Sequence, residues 1–145
     1  MIANIFLQLA IGHHETSGLN LVIEHHDNVV YQSTNILVDT VCVEFLVCLP
    51  CTIKFKINGR LLNDTVLDSQ GNICKDKYIE LKNIKLDGFS IDAWKIPGSH
   101  LFLQTDDSVC KTMFWARNGT AHLVIDQEDP LIWILDHKTI IGIPE

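Results

Sequence analysis

Positive charge is scarce in this chain: 11 Lys and Arg face 18 Asp and Glu, a formal net charge of −7 over 145 residues. Non-specific nucleic-acid binding depends on clustered Lys and Arg displacing counterions from phosphate, so DNA and RNA are excluded as the main partner. Long apolar runs are also missing. No stretch reaches the ~18–20 apolar residues of a spanning helix, and no membrane partner is expected. Met1 to Gly12 has neither the basic leader nor the small-residue cleavage site of a signal peptide, and Asn4 and Gln8 interrupt its apolar run, so it reads as a first strand. Alanine is rare, at five residues, and no segment carries a convincing 3.6-residue period, which argues against helices. Catalytic motifs are absent too: there is no Gly-x-Ser-x-Gly elbow, no His-Glu-x-x-His and no glycine-rich phosphate loop, and the expected class is non-enzymatic.

What is present is apolar and compact. Hydrophobic residues make up 47% of the chain and charged ones 20%, which excludes a disordered tail, a coiled coil or a collagenous rod. One domain spanning 1–145 is the expectation, at the usual ~100–200 residues per domain. Five cysteines (Cys42, Cys48, Cys51, Cys74, Cys110) are an odd number without an export signal, so free thiols are expected.

The dominant period is two. Ile53, Phe55 and Ile57 alternate with Thr52, Lys54 and Lys56, one face for a core and one for water. Val41, Val43, Phe45 and Val47 form a second row whose opposite face is only partly polar, so this strand is expected to be central or covered. Pro50 between the two runs suggests that Val41–Cys48 and Cys51–Asn58 form a hairpin at the centre of the fold, which also accounts for the Cys48-Leu-Pro-Cys51 spacing without metal or redox use. Ile79 and Leu81 stand in one phase and Ile84 and Leu86 in the other, a slip at Lys82-Asn83 that predicts a β-bulge. Further strands are expected over 2–11, 21–24, 28–32, 89–94, 100–103, 113–116, 122–125 and 131–135, separated by Asn58-Gly59, Asp87-Gly88, Pro97-Gly98, Asn118-Gly119 and Asp129-Pro130 turns. The fold class is therefore all-β, an antiparallel β-sandwich or jelly roll of about eight to ten strands.

Three groups of residues have side chains suited to binding. His13-His14-Glu15 and His25-His26-Asp27 carry metal-ligand types, and a metal-dependent enzyme using His13, His14, His25 or His26 is the least favoured class; polar loop ends at a sandwich rim are the simpler reading. The stretch Asn63 to Asn72 with Asp76 supplies hard oxygens around a glycine turn. It lacks the acid order of an EF-hand and reads first as a solvated Asx-turn loop, yet Asp64, Asp68 and Asp76 are where calcium or a glycan would be held. Among the tryptophans, Trp133 lies in an apolar run and reads as core, whereas Trp94 and Trp115 near turns are candidates for stacking on a sugar.

The run Thr52-Ile-Lys-Phe-Lys-Ile-Asn-Gly-Arg60, then Asn63-Asp-Thr65, Asp68 to Ile73, Asp76-Lys-Tyr-Ile-Glu-Leu81, Ile84-Lys-Leu-Asp-Gly88, Asn118-Gly-Thr120 and Asp129-Pro-Leu-Ile-Trp-Ile-Leu135 resembles a small virion structural protein of tailed bacteriophages, especially those with contractile tails. That resemblance covers about 40–135. It implies a jelly-roll sandwich akin to carbohydrate-binding modules, made in a host cytoplasm and assembled on a virion as a capsid-surface decoration or a neck, tail or baseplate appendage. Other virion proteins, self-association and a surface glycan are the partners it implies. The similar sandwich of calcium-dependent xylan-binding modules holds metal and sugar with loop carboxylates, which would fall here at Asp64, Asp68, Asp76 and Asp87. The expected functions are thus a virion interaction protein and, as the alternative, a calcium-dependent carbohydrate-binding module; no cofactor other than calcium is expected.

Overall fold

Alternation decides the faces of the long strands. In the computed structural model, which describes residues 1–61, 64–96 and 98–137, Ala3, Ile5, Leu7, Leu9 and Ile11 point inward from the first strand while the intervening residues line the other face. Asn63 of the acidic loop and Pro97 of the Pro97-Gly98 turn lie outside the described residues. In chain order the strands are β1 (Ile2–Gly12), β2 (Asn20–His25), β3 (Asn28–Ser33), β4 (Thr40–Cys48), β5 (Cys51–Asn58), β6 (Val66–Leu67), β7 (Ile73–Lys75), β8 (Tyr78–Leu86), β9 (Phe89–Asp92), β10 (Leu101–Gln104), β11 (Val109–Cys110), β12 (Phe114–Trp115) and β13 (Gly119–Ile125). A 3-10 turn at Ala93–Lys95 follows β9, and one helix, α1 (Pro130–His137), follows β13.

These strands make an all-β antiparallel sandwich. One sheet runs β12-β8-β1-β4 with β9 also on β8; the other runs β11-β10-β13-β5-β2-β3; β6 and β7 form a separate small ribbon. The inward rows of the sheets meet in one apolar core, with Ile5, Leu7, Leu9, Ile79 and Leu81 from the first and Leu21, Ile23, Ile53, Phe55 and Leu123 from the second, all fully buried. The expected bulge is present: between Gln8↔Asn83 and Leu9↔Leu81, Lys82 is the unpaired extra residue, and it restores the inward phase of Ile84 and Leu86.

Two expectations are corrected. β4 and β5 are not a central hairpin: β4 is an edge strand of the first sheet, paired only with β1, while β5 lies inside the second sheet between β13 and β2. The Leu49-Pro50 link, a cis peptide, carries the chain across the core. Val41, Val43 and Val47 therefore face the core from one sheet as Ile53, Phe55 and Ile57 face it from the other, while Cys42, Glu44, Leu46 and Cys48 are exposed. At the end of this edge the Cys48 N–H donates to His25 Nε2 at 3.3 Å, and His26 Nε2 lies 3.3 Å from the Cys48 carbonyl oxygen.

The second correction is the stretch 131–135, a helix and not a strand. Pro130 needs no amide partner at a helix start, and the Asp129 carboxylate accepts the Leu131 N–H at 2.9 Å. Pro130, Trp133, Ile134 and His137 are buried, the i, i+3, i+4, i+7 face of a helix, whereas Leu131, Ile132 and Leu135 are about half exposed.

His137 ends this helix in an unusual setting. Its ring is buried 4.6 Å from the Trp133 ring and 5.3 Å from that of His100, and its Nδ1 has no hydrogen-bond partner among the described residues. His100 itself is held by Asp126 at 2.8 Å and by the Ser99 hydroxyl at 3.1 Å. Burial, and then the neighbouring His100, push the His137 pKa below the ordinary 6.5, against the weaker pull of Asp136 and Asp126. Below pH about 6.5 the undocked helix accepts a proton that the docked one resists, so docking weakens as pH falls through that value and is unaffected above it. Amide exchange of 130–137 is expected to accelerate, relative to β13, between pH 7.5 and 5.5, and His137→Phe should remove that difference.

Candidate functional site

Each carboxylate of the acidic loop already has partners. Asp64 is buried, its Oδ1 3.1 Å from the equally buried Lys77 ammonium and its Oδ2 accepting the Leu61 N–H at 2.6 Å; Lys77 also donates to the Ser17 hydroxyl at 2.6 Å. Asp76 accepts from Arg60 at 2.6 Å, from the Thr65 hydroxyl at 2.9 Å and from the Lys77 N–H at 2.8 Å. Burial works to raise both carboxyls, but for Asp64 the Leu61 amide and Lys77, and for Asp76 Arg60 and Thr65, outweigh it and hold them below the usual carboxylate range. Asp68 accepts the amides of Gln70 and Asn72 at 2.8 and 2.9 Å and closes the β6–β7 ribbon as an Asx-turn.

Calcium does not fit this arrangement. An ammonium and a guanidinium occupy the positions beside Asp64 and Asp76 that a cation would take, and among the described residues no group of three His, Cys, Asp or Glu gathers around a common point. Asp87 stands apart, accepting the Asn4 N–H at 2.8 Å. The histidine pairs are separated as well. His25 and His26 contact Cys48, which pairs with Ile2 at the start of β1, and His13 and His14 follow Gly12 at its end, about 30 Å away at ~3.3 Å per residue.

The two tryptophans named as sugar platforms have opposite fates. Trp115 is fully buried, 5.0 Å from Phe55 across the sandwich, and cannot stack on a ligand; pairing of β12 with Ile79 turns its ring into the core. Trp94 is 66% exposed. It sits in the middle of the 3-10 turn, closed by the Ile96 N–H donating to the Ala93 carbonyl at 3.1 Å; Ala93 is buried beneath, so the turn holds the indole outward.

Trp94 borders an open pocket of about 250 Å³ at the lateral seam between the sheets. Two groups of residues form it: Ala93, Trp94, Ile96, Gly98 and Leu101 between the end of β9 and the start of β10, and Lys111, Thr112 and Met113 between β11 and β12. Buried Ala93 and Leu101 form an apolar floor. The buried Trp115 fastens the second group from beneath, its indole N–H donating to the Thr112 carbonyl at 2.8 Å, and the Leu81 N–H holds the Met113 carbonyl at 3.0 Å. Trp115 thus shapes the pocket without lining it.

A larger cleft of about 550 Å³ opens at the sandwich end that carries Asn58 and Gly119, lined by Arg60, Leu61, Asp106, Asp107, Arg117 and Asn118 among others. Sequence reasoning did not find it, because its walls come from three separate connections. Its polar groups mostly serve the protein: Arg117 pairs with Asp107 at 3.2 Å, Asn118 is bonded to the Arg60 backbone at 2.9 and 3.0 Å, and Arg60 is committed to Asp76, Thr65 and the Lys77 carbonyl.

The chain is similar in fold to two solved structures. One is the selenomethionine form of vCBM60, described as "Circular permutation provides an evolutionary link between two families of calcium-dependent carbohydrate binding modules", at 8% identity over 84% of this chain and 90% of that chain, with a TM-score of 0.47. The other is vCBM60 in complex with galactobiose, at 10% identity over 83% of this chain and 97% of that chain, with a TM-score of 0.42. A likeness of this extent transfers neither ligand nor metal. No family model matches the chain, and no curated protein does.

Thermal unfolding in millimolar calcium and in chelator is expected to give the same melting temperature. Asp64→Ala should cost about 3 kcal/mol in either buffer, because it strands the buried Lys77 ammonium.

Proposed function

We infer that this domain is a non-catalytic glycan-binding module whose site is the Trp94 pocket. The observation that carries the reading is the exposed indole of Trp94, held outward by a closed 3-10 turn at the rim of an open pocket with an apolar floor. An aromatic ring packs on the apolar face of a pyranose, and tryptophan, with two side-chain torsions, loses little conformational entropy when covered. The pocket is shallow and open at the side, which suits one or two sugar units of a longer chain that continues into solvent. Affinity electrophoresis against a panel of polysaccharides, with Trp94→Ala beside the wild type, tests it: retardation by at least one glycan is expected for the wild type and about five- to thirtyfold weaker binding for the variant, the loss of one stacking contact of about 1–2 kcal/mol. Equal behaviour of the two proteins on every glycan would remove the site.

A place on a tailed-phage virion is a second reading, supported by apolar side chains that the core does not use. Ile2 and Leu46 lie on the outer face of β1 and β4, and Leu131, Ile132 and Leu135 on the outer side of α1. Such residues suit contact with other virion proteins or a second copy. Mass spectrometry of purified particles is expected to find the chain in defined copy number, and its absence would end that reading.

A further inference from the structure

We propose that the ligand of the Trp94 pocket is an acidic saccharide, a glycan bearing hexuronic acid, whose carboxylate pairs with Lys111 while a sugar ring stacks on Trp94. This deepens the glycan-binding reading and rests on it. The charges around the pocket support it. In a chain of formal net charge −7, no carboxylate among the described residues lines this pocket, and Lys111 is the charged residue in its described wall. Lys95 adds a second ammonium, which lies over one face of the Trp94 ring 5.2 Å from its centre, so that a sugar would take the opposite face; its charge is partly met by Asp92 at 3.7 Å. The Lys111 side chain makes no hydrogen bond or ion pair among the described residues; the same is true of Lys54, Lys75 and Lys85, but of these four only Lys111 lines the pocket, while Lys56, Arg60, Lys77, Lys82 and Arg117 are all paired.

The stem of Lys111 is constrained. A Cβ placed on Gly98 would stand 2.7, 3.1 and 2.9 Å from the Cβ, Cγ and Cδ of Lys111, so the absence of a side chain at 98 lets the lysine lie flat against that backbone. Lys111 is exposed, so its ammonium is available at the solvent edge of the pocket to meet a ligand. A neutral sugar offers that ammonium only hydroxyl contacts; a carboxylate offers a charge-assisted hydrogen bond. The end cleft, lined by Asp106 and by Asp107 paired with Arg117, lacks this bias.

The test is calorimetric titration of the whole chain with oligosaccharides of polygalacturonate, alginate and hyaluronate, each beside its carboxyl-reduced neutral form and beside a sulfated oligosaccharide. Expected are binding of at least one uronate, about tenfold weaker binding of its reduced form, the same loss for Lys111→Gln with retention by Lys111→Arg, and weakening between 50 and 500 mM salt. Thermal unfolding of the variants checks that they fold. Equal affinity for acidic and reduced forms, with Trp94→Ala abolishing both, overturns the acidic ligand and leaves the glycan site standing. Preference for the sulfated chain over every uronate overturns the carboxylate assignment, and binding of none of these while neutral polysaccharides retard the protein in a Trp94-dependent way does the same. Failure of every glycan, acidic or neutral, overturns both readings.

Discussion

The contact between Trp115 and Phe55 joins the two halves of the molecule. Trp115 belongs to a two-residue strand at the margin of one sheet, and Phe55 to a strand in the interior of the other; their rings meet 5.0 Å apart with no solvent access. Two such rings bury more area than any aliphatic pair in this core, and their tilted geometry adds to area burial. An indole N–H left unpaired in such surroundings is costly, and this one takes the Thr112 carbonyl. The demand for one hydrogen bond in the core therefore fixes the path of a surface segment, and with it one wall of the pocket. Loss of the Trp115 ring would open a cavity in the core and release that wall together.

Much of the fold was legible because period two is a local property. The alternation of β1, β5 and β8 and the slip at Lys82 are all visible in a window of a few residues. What was not legible is non-local. Two consecutive alternating strands look the same whether they pair side by side or face each other across a core, and β4 and β5 do the latter. Position near a turn likewise does not distinguish Trp94 from Trp115; only the register of β12 against Ile79 sets which ring points inward. The helix was hidden for another reason. Asp129-Pro130 is both a turn signal and a helix start, and Leu-Ile-Trp-Ile-Leu is apolar enough to mask which residues recur at three and four.

The acidic loop shows how a cluster of one sign misleads when its counter-charges lie elsewhere in the chain. Asp64 and Asp76 look like an excess of carboxylate between 63 and 76, yet Lys77 and Arg60 stand at the two margins of that window and turn inward to meet them. The resulting network ties the ribbon to Ser17 and to the start of β8, so that the loop is fastened to the sandwich by charge and not by apolar packing. Buried pairs of this kind add little net stability but tolerate no loss of one partner. They spend on architecture the oxygens that a cation would require.

The imidazoles at the end of β4 have a consequence for association. An edge strand nine residues long and free of proline is a template onto which a foreign strand can add, and the outward row here, with Leu46 among it, would reward such growth. His25 and His26 come from the opposite sheet, and they hold both the N–H and the carbonyl of Cys48. An incoming strand therefore finds the last rung of the ladder already taken and cannot run the full length of β4. One rung of this edge is thus closed to a foreign strand by residues whose sequence pattern suggested a metal.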